Sequence, residues 1–309
     1  MSLKSEDAKN NMVSDIDYGL IKDELISVAT AAANKLERDW PQKYSSIDSA
    51  RVFFVATLRL AINTYKTIIH ICADIPDDHR RDKMFCLSIP PLNRTILENL
   101  MTVVFVLEDI QKRTQWFYKS GYREWKEALE RYKRDYGQAL EWKSFIDTME
   151  NYVTNQLPGI GLSQKEIDDT KKEINYWPNP GKMAKISESE NSNKQTAVFL
   201  NYVNDWFYKA LSGQSHLNAP GLVQRGMFLA GHDIMGNYIN NADEIIEEEL
   251  EKFRNEQVWL AIILLLALTS EIDMHFKYDL DKRIKYIWGI IIHYNEKAKE
   301  LYEKRYDNS

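Results

Sequence analysis

The chain has 309 residues, 44% hydrophobic and 28% charged, with a formal net charge of −6. It is long enough for one large helical domain or two small ones, and its composition is that of a globular protein. The acidic balance excludes a generally basic surface that coats nucleic acid without specificity, but not a local basic pocket.

The N-terminal MSLKSEDAKNNMVSD is polar and has no apolar signal-peptide core. Asp15 can cap a helix from Ile16 to Arg38, stopped at Trp40-Pro41. Asp48 or Ser46 can open the next, RVFFVATLRLAINTYKTIIHICAD, too densely apolar for a surface helix. Ser88 is a suitable cap, with Pro90 and Pro91 in the first turn of a helix reaching Asp109. An aromatic-rich helical stretch covers 113–156, with Gly121 and Gly137 as candidate breaks. Ser163-Gln-Lys-Glu166 forms a capping box. Trp177-Pro-Asn-Pro-Gly181 must be irregular.

Residues 182–194 (KMAKISESENSNK) are polar and read as a mobile loop. A helix follows from Gln195 to Ser212, then a turn at Asn218-Ala-Pro-Gly221. Asp243 can cap a long helix whose acidic first turns suit the positive end of its dipole. Asp279 can cap the last helix, ending in KAKELYEKRY. No strand-period alternation persists. The expectation is a single all-α domain, a large multi-helix bundle with buried central helices at 52–71, 91–107 and 258–268. Residues 158–194 are the best candidate for an insertion or lid.

Cys72 and Cys86 are the two cysteines. Without C-x-x-C spacing they form no disulfide framework, which points to reduced thiols and a cytoplasmic protein. The apolar run Val258–Leu268 is bounded by Glu256 and Glu271. It is shorter than the roughly twenty residues a bilayer span needs, so it reads as a core helix and no membrane partner is expected.

Two constellations carry candidate chemistry. In PPLNRTILENLMTVVFVLED, apolar residues cover most of the helix, leaving a polar stripe of Arg94, Thr95, Glu98 and Thr102. Arg94 and Glu98 are four apart and can pair. In a core, such a pair fixes helix register or walls a polar pocket. The second is Tyr208, Ser212 and His216, four residues apart on one helical face. His216 falls near a helix C-terminus, where the dipole favours its protonated form; it reads either as a cap or as a proton donor.

Arg-x-x-x-Glu early in a buried helix, a Trp-Pro/Gly-rich loop, and a later Tyr-x-x-x-Ser-x-x-x-His resemble a bacterial all-helical family known only as a domain of unknown function. That family is similar to the HEPN-like proteins of defence and toxin systems. The resemblance covers about 50–268. It implies a polar site shared by Arg94, Glu98, Tyr208, Ser212 and His216, with Arg94 as anion donor, Glu98 orienting it and His216 donating a proton. HEPN ribonucleases pair an Arg with a His on one helix. Here Arg225 and His232 are two turns apart, which would place Arg225 on a phosphate and make His232 the general acid/base.

A third pattern, His232-Asp233, is similar to the metal pair of helical phosphohydrolases, with His216 and Asp273 or Asp243 as further ligands. The chain has no Walker A, G-x-G-x-x-G or G-x-S-x-G motif. No cofactor is expected. Three functions stay open: action on RNA or another phosphate ester, non-enzymatic binding or assembly with structural polar pairs, and metal-dependent phosphohydrolysis. A homodimer stays open too.

Overall fold

The computed structural model describes residues 18–45, 48–72, 84–159, 176–190, 194–215, 226, 228 and 242–307. Among them every regular element is a helix. α1 (Tyr18–Arg38) packs on α2 (Asp48–Cys72), α2 packs on α3 (Ile89–Glu108), and α9 (Ala242–Phe276) touches all three. The apolar run within α9 explains this position. Ala261, Ile262, Leu264, Leu265, Leu266, Ala267 and Leu268 are fully buried. A helix apolar around its whole circumference has to be surrounded by others. α2 and α9 are both long and apolar enough to cross a membrane, yet the apolar window of α9 is 83% buried inside the protein. α2 buries Phe53, Phe54, Leu58 and Tyr65 but leaves Val52 and Leu60 about half exposed, so it is a two-faced helix at the bundle edge.

α4 (Ile110–Tyr136) and α5 (Leu140–Gly159) form a hairpin with its own small core of Tyr122, Leu129, Ile146, Met149 and Val153. Gly121 does not break α4. Gly137 does stand at its end, where a Cβ would collide with the Lys133 carbonyl oxygen. Asp109 makes the preceding corner, its side chain accepting from the Lys112 N–H.

The stretch expected as a loop at 182–194 is instead largely helical. α6 (Pro180–Ser189) starts on Asn179, whose side chain accepts from the Lys182 N–H, with Pro180 in the first turn. Its polar composition hides a narrow apolar face: Met183 and Ala184 are buried against α3 and the helix that follows. That next helix is α7 (Lys194–Val203), a π turn (Asn204–Tyr208) and α8 (Lys209–Ser215) in succession.

The C-terminal helix is likewise two. α10 (Asp281–Tyr294) is followed by α11 (Glu296–Arg305), and Asn295 between them caps α11 by accepting from the Ala298 N–H. Asp279 is not the cap of α10. It and Lys277 adopt φ of 60° in the tight turn after α9, and Leu280 takes the cap position.

Candidate functional site

The polar stripe lies at the edge of the core rather than inside it. The Arg94 side chain is 20% exposed and that of Glu98 45%. Thr95 returns its hydroxyl to the Pro91 carbonyl one turn back, and Thr102 is half-buried. Sequence spacing joined Arg94 to Glu98, and the guanidinium Nε does donate to Glu98 Oε1 at 2.9 Å.

The second constellation meets the first here. Arg94 Nη2 donates to the Tyr208 hydroxyl at 2.8 Å, and the guanidinium lies 5.0 Å from the Tyr208 ring centre. Partial burial alone would lower the Arg94 pKa; Glu98 and Tyr208 together outweigh this and raise it. Thr196 at the start of α7 shares a cavity with Glu108, near the far end of α3 from Arg94. α7 and α8 therefore run antiparallel to α3. Ser212 is half-buried one turn beyond Tyr208, on α8, which packs against α3. His216, Arg225, His232 and Asp233 lie outside the described residues, as does the side chain of Asp243.

Asp273, read as a potential metal ligand, has another task. Its Oδ1 accepts from the backbone N–H of Tyr278 at 3.1 Å and of Leu280 at 3.2 Å, closing the turn that holds the two positive φ angles. Among the described residues no group of three or more His, Cys, Asp or Glu side chains is placed to hold a metal ion.

Sequence spacing missed the most deeply buried charges. Arg113 is 1% exposed, pairs with Glu108, and donates to Glu190 Oε2 and the Phe105 carbonyl at 2.8 and 2.6 Å. Ser187 of α6 donates to the same Glu108 carboxylate at 2.5 Å, so α3, α4 and α6 meet on one acid. Lys112 and Arg113 hold the Glu190 carboxyl below its ordinary range. Nearby, Arg305 grips Glu271 with two 2.8 Å bonds, and the Tyr306 hydroxyl lies 3.1 Å from Glu271 Oε1. A cavity of about 240 Å³ lies between these acids, lined by Glu108, Glu271, Arg305, Thr196 and His275. The His275 Nε2 meets the Tyr44 hydroxyl at 3.1 Å. Burial, and then the positive charge of Lys43, push His275 down to about 4, so it is neutral near pH 7.

One signal in the sequence pointed to this cluster. Glu271 stands three residues past the end of an apolar run, and a charge on an all-round buried helix needs a partner. The partner, Arg305, lies 34 residues away, where no helical spacing rule reaches.

No protein-family model, curated protein or solved structure matches the chain.

Proposed function

We propose that this is a non-enzymatic binding or assembly protein whose polar pairs serve to set helix packing. One observation carries the reading: the Arg94 fork is engaged by Glu98 on its own helix and by Tyr208 across the bundle, so its donors tie α3 to α7 and α8. A guanidinium held this way works as a register lock, because its planar donors match two acceptors only at one helix offset. The deeper Arg113 and Arg305 clusters follow the same pattern.

A second reading is action on RNA or another phosphate ester, as in HEPN-like proteins. What favours it is the partial exposure of Arg94 beside a tyrosine hydroxyl, with Ser212 one turn on, in the segment that leads to His216. In that reading Arg94 binds the anion and His216 or His232 moves the proton, with Arg225 on the phosphate. His232-Asp233 metal chemistry is a further branch of the same reading.

Arg94→Ala, Tyr208→Phe and His216→Ala separate the two. The lock predicts that Arg94→Ala and Tyr208→Phe each lose about 1–2 kcal/mol in urea unfolding, and that none of the three changes RNA integrity or host growth. Wild-type protein that degrades RNA, together with a stably folded Arg94→Ala or His216→Ala that does not, would overturn it.

A further inference from the structure

We infer that the cavity between α7–α8, α9 and the α10–α11 junction binds a small organic cation, an alkyl- or quaternary ammonium. It goes beyond the reading of the Arg94 cluster, since neither Arg94, Glu98 nor Tyr208 lines this cavity.

The cavity measures about 330 Å³. That suits a small ligand, at the low end of the roughly 300–1,000 Å³ usual for such sites. Its floor is aliphatic, from Leu211, Leu260 and Ile263. Trp206 of the π turn, Trp259 of α9 and Tyr294 of α10 add three aromatic side chains to its lining. Two of those rings are left open to solvent: Trp206 is 70% exposed and Tyr294 45%. A cation is attracted to the face of a Trp or Tyr ring, so a small cavity lined by three such side chains suits one.

The charges at the rim agree. Among the described residues Glu256, Glu296 and Glu300 line the cavity with one base, Lys297, while Lys299 lies 3.9 Å from Glu296 and Lys304 stands at the edge. An anionic ligand would face this excess of carboxylates. The start of α11 also borders the cavity, but its positive end is already answered by the Asn295 cap and by Glu296 in the first turn. The protein shows the same chemistry at the cavity's edge. Lys304 places its ammonium 4.9 Å from the ring centre of Tyr202, whose hydroxyl donates to Glu300 at 2.8 Å.

The backbone is shaped to this end. Tyr202, Trp206, Phe207, Ala210, Leu211 and Gln214 all line the cavity. On a regular helix these positions spread over about half the circumference, too wide for one wall. The π turn Asn204–Tyr208 takes up one extra residue, about 100° of rotation, and brings the later residues back toward the face of Tyr202. Single π turns inside α-helices are frequent at functional sites.

Calorimetric titration of the full chain tests this with choline, tetramethylammonium and putrescine, against 3,3-dimethylbutan-1-ol, the uncharged isostere of choline. At least one cation should bind saturably, with choline at least about tenfold tighter than the neutral alcohol. Trp206→Ala, at a position 70% exposed, should weaken binding by about tenfold, and so should the triple change Glu256→Gln, Glu296→Gln, Glu300→Gln. Trp125→Ala, in the α4–α5 hairpin, should leave binding unchanged. Tighter binding of a trimethyl-lysine peptide than of choline supports the cation site and assigns its source to a peptide side chain. Equal binding of choline and the neutral alcohol, or no saturable binding of any cation up to about 10 mM, overturns the inference, as does unchanged binding in a folded Trp206→Ala.

Discussion

Arg113 and Arg134 show how much a charge depends on its surroundings. Arg113 sits over the Phe105 ring at 3.8 Å, is 1% exposed, and meets two glutamates and a carbonyl. Removing it leaves Glu108 buried without its cation, and a second oxygen of that carboxylate already has no partner. Arg113→Ala should therefore lose about 3–5 kcal/mol of stability in urea unfolding. Arg134 pairs with Asp135 in open solvent, with side-chain exposures of 73% and 42%. Arg134→Ala should leave the urea-unfolding midpoint essentially unchanged. A similar loss from the two substitutions would mean that burial does not set the worth of these pairs. Sequence reading found Arg94 and Glu98 because they are helix neighbours. It could not weigh Arg113, since one of its carboxylates, Glu190, comes from the end of α6, 77 residues away.

At the scale of elements, the joints matter more than the helices. α9 and α10 are joined through Lys277–Leu280, where two residues with side chains take a conformation that favours glycine. Asp273 holds this joint by collecting two backbone N–H groups, and the turn sets the angle at which α10 packs back. Burial raises the Asp273 pKa, the two N–H bonds oppose that, and the cost of burial is accepted for the sake of the turn. Asp273→Ala should cost about 1–3 kcal/mol, because two buried donors lose their acceptor. Thermal unfolding would measure it, and an unchanged midpoint would show that the turn holds without its acid. The π turn between α7 and α8 is the second joint, and it decides which faces Tyr208 and Trp206 present. Helical period alone placed 208, 212 and 216 on one face but had no means of registering the added residue. The polar α6 was missed for a related reason: its apolar face is only two or three residues wide, and packing rather than pattern makes it a helix.

For the whole molecule, stability should depend on acidity through His275. The unfolded chain takes up a proton near pH 6.5, the folded chain only near 4, because burial disfavours the charged ring. Between those values the unfolded state binds more protons, so stability falls as the pH drops from about 6.5 toward 4. The loss is at most about 3 kcal/mol, and less for a ring that is half-buried. His275→Gln should flatten the slope of unfolding free energy in that window. A mutant that keeps the wild-type slope would assign it to other groups. Cys72 and Cys86 belong to the same interior. Both are buried free thiols, pushed up by burial to about 11 and 12, and they stay protonated in the folded state.

The all-helical class, most helix positions and the buried run of α9 were determined by the sequence itself. They rest on local rules: apolar period, scarce glycine and proline, and capping residues near the helix ends. The Arg94–Glu98 pair was legible for the same reason, since four residues is one helical turn. Only the tertiary structure decided that this pair stands at the rim of the core, that Tyr208 completes it, and that Arg113 and Arg305 are the truly buried cations. It also decided that Trp206, Trp259 and Tyr294 share one cavity. Those facts depend on contacts between residues far apart in the chain, and on one extra residue in a turn, which no local period records.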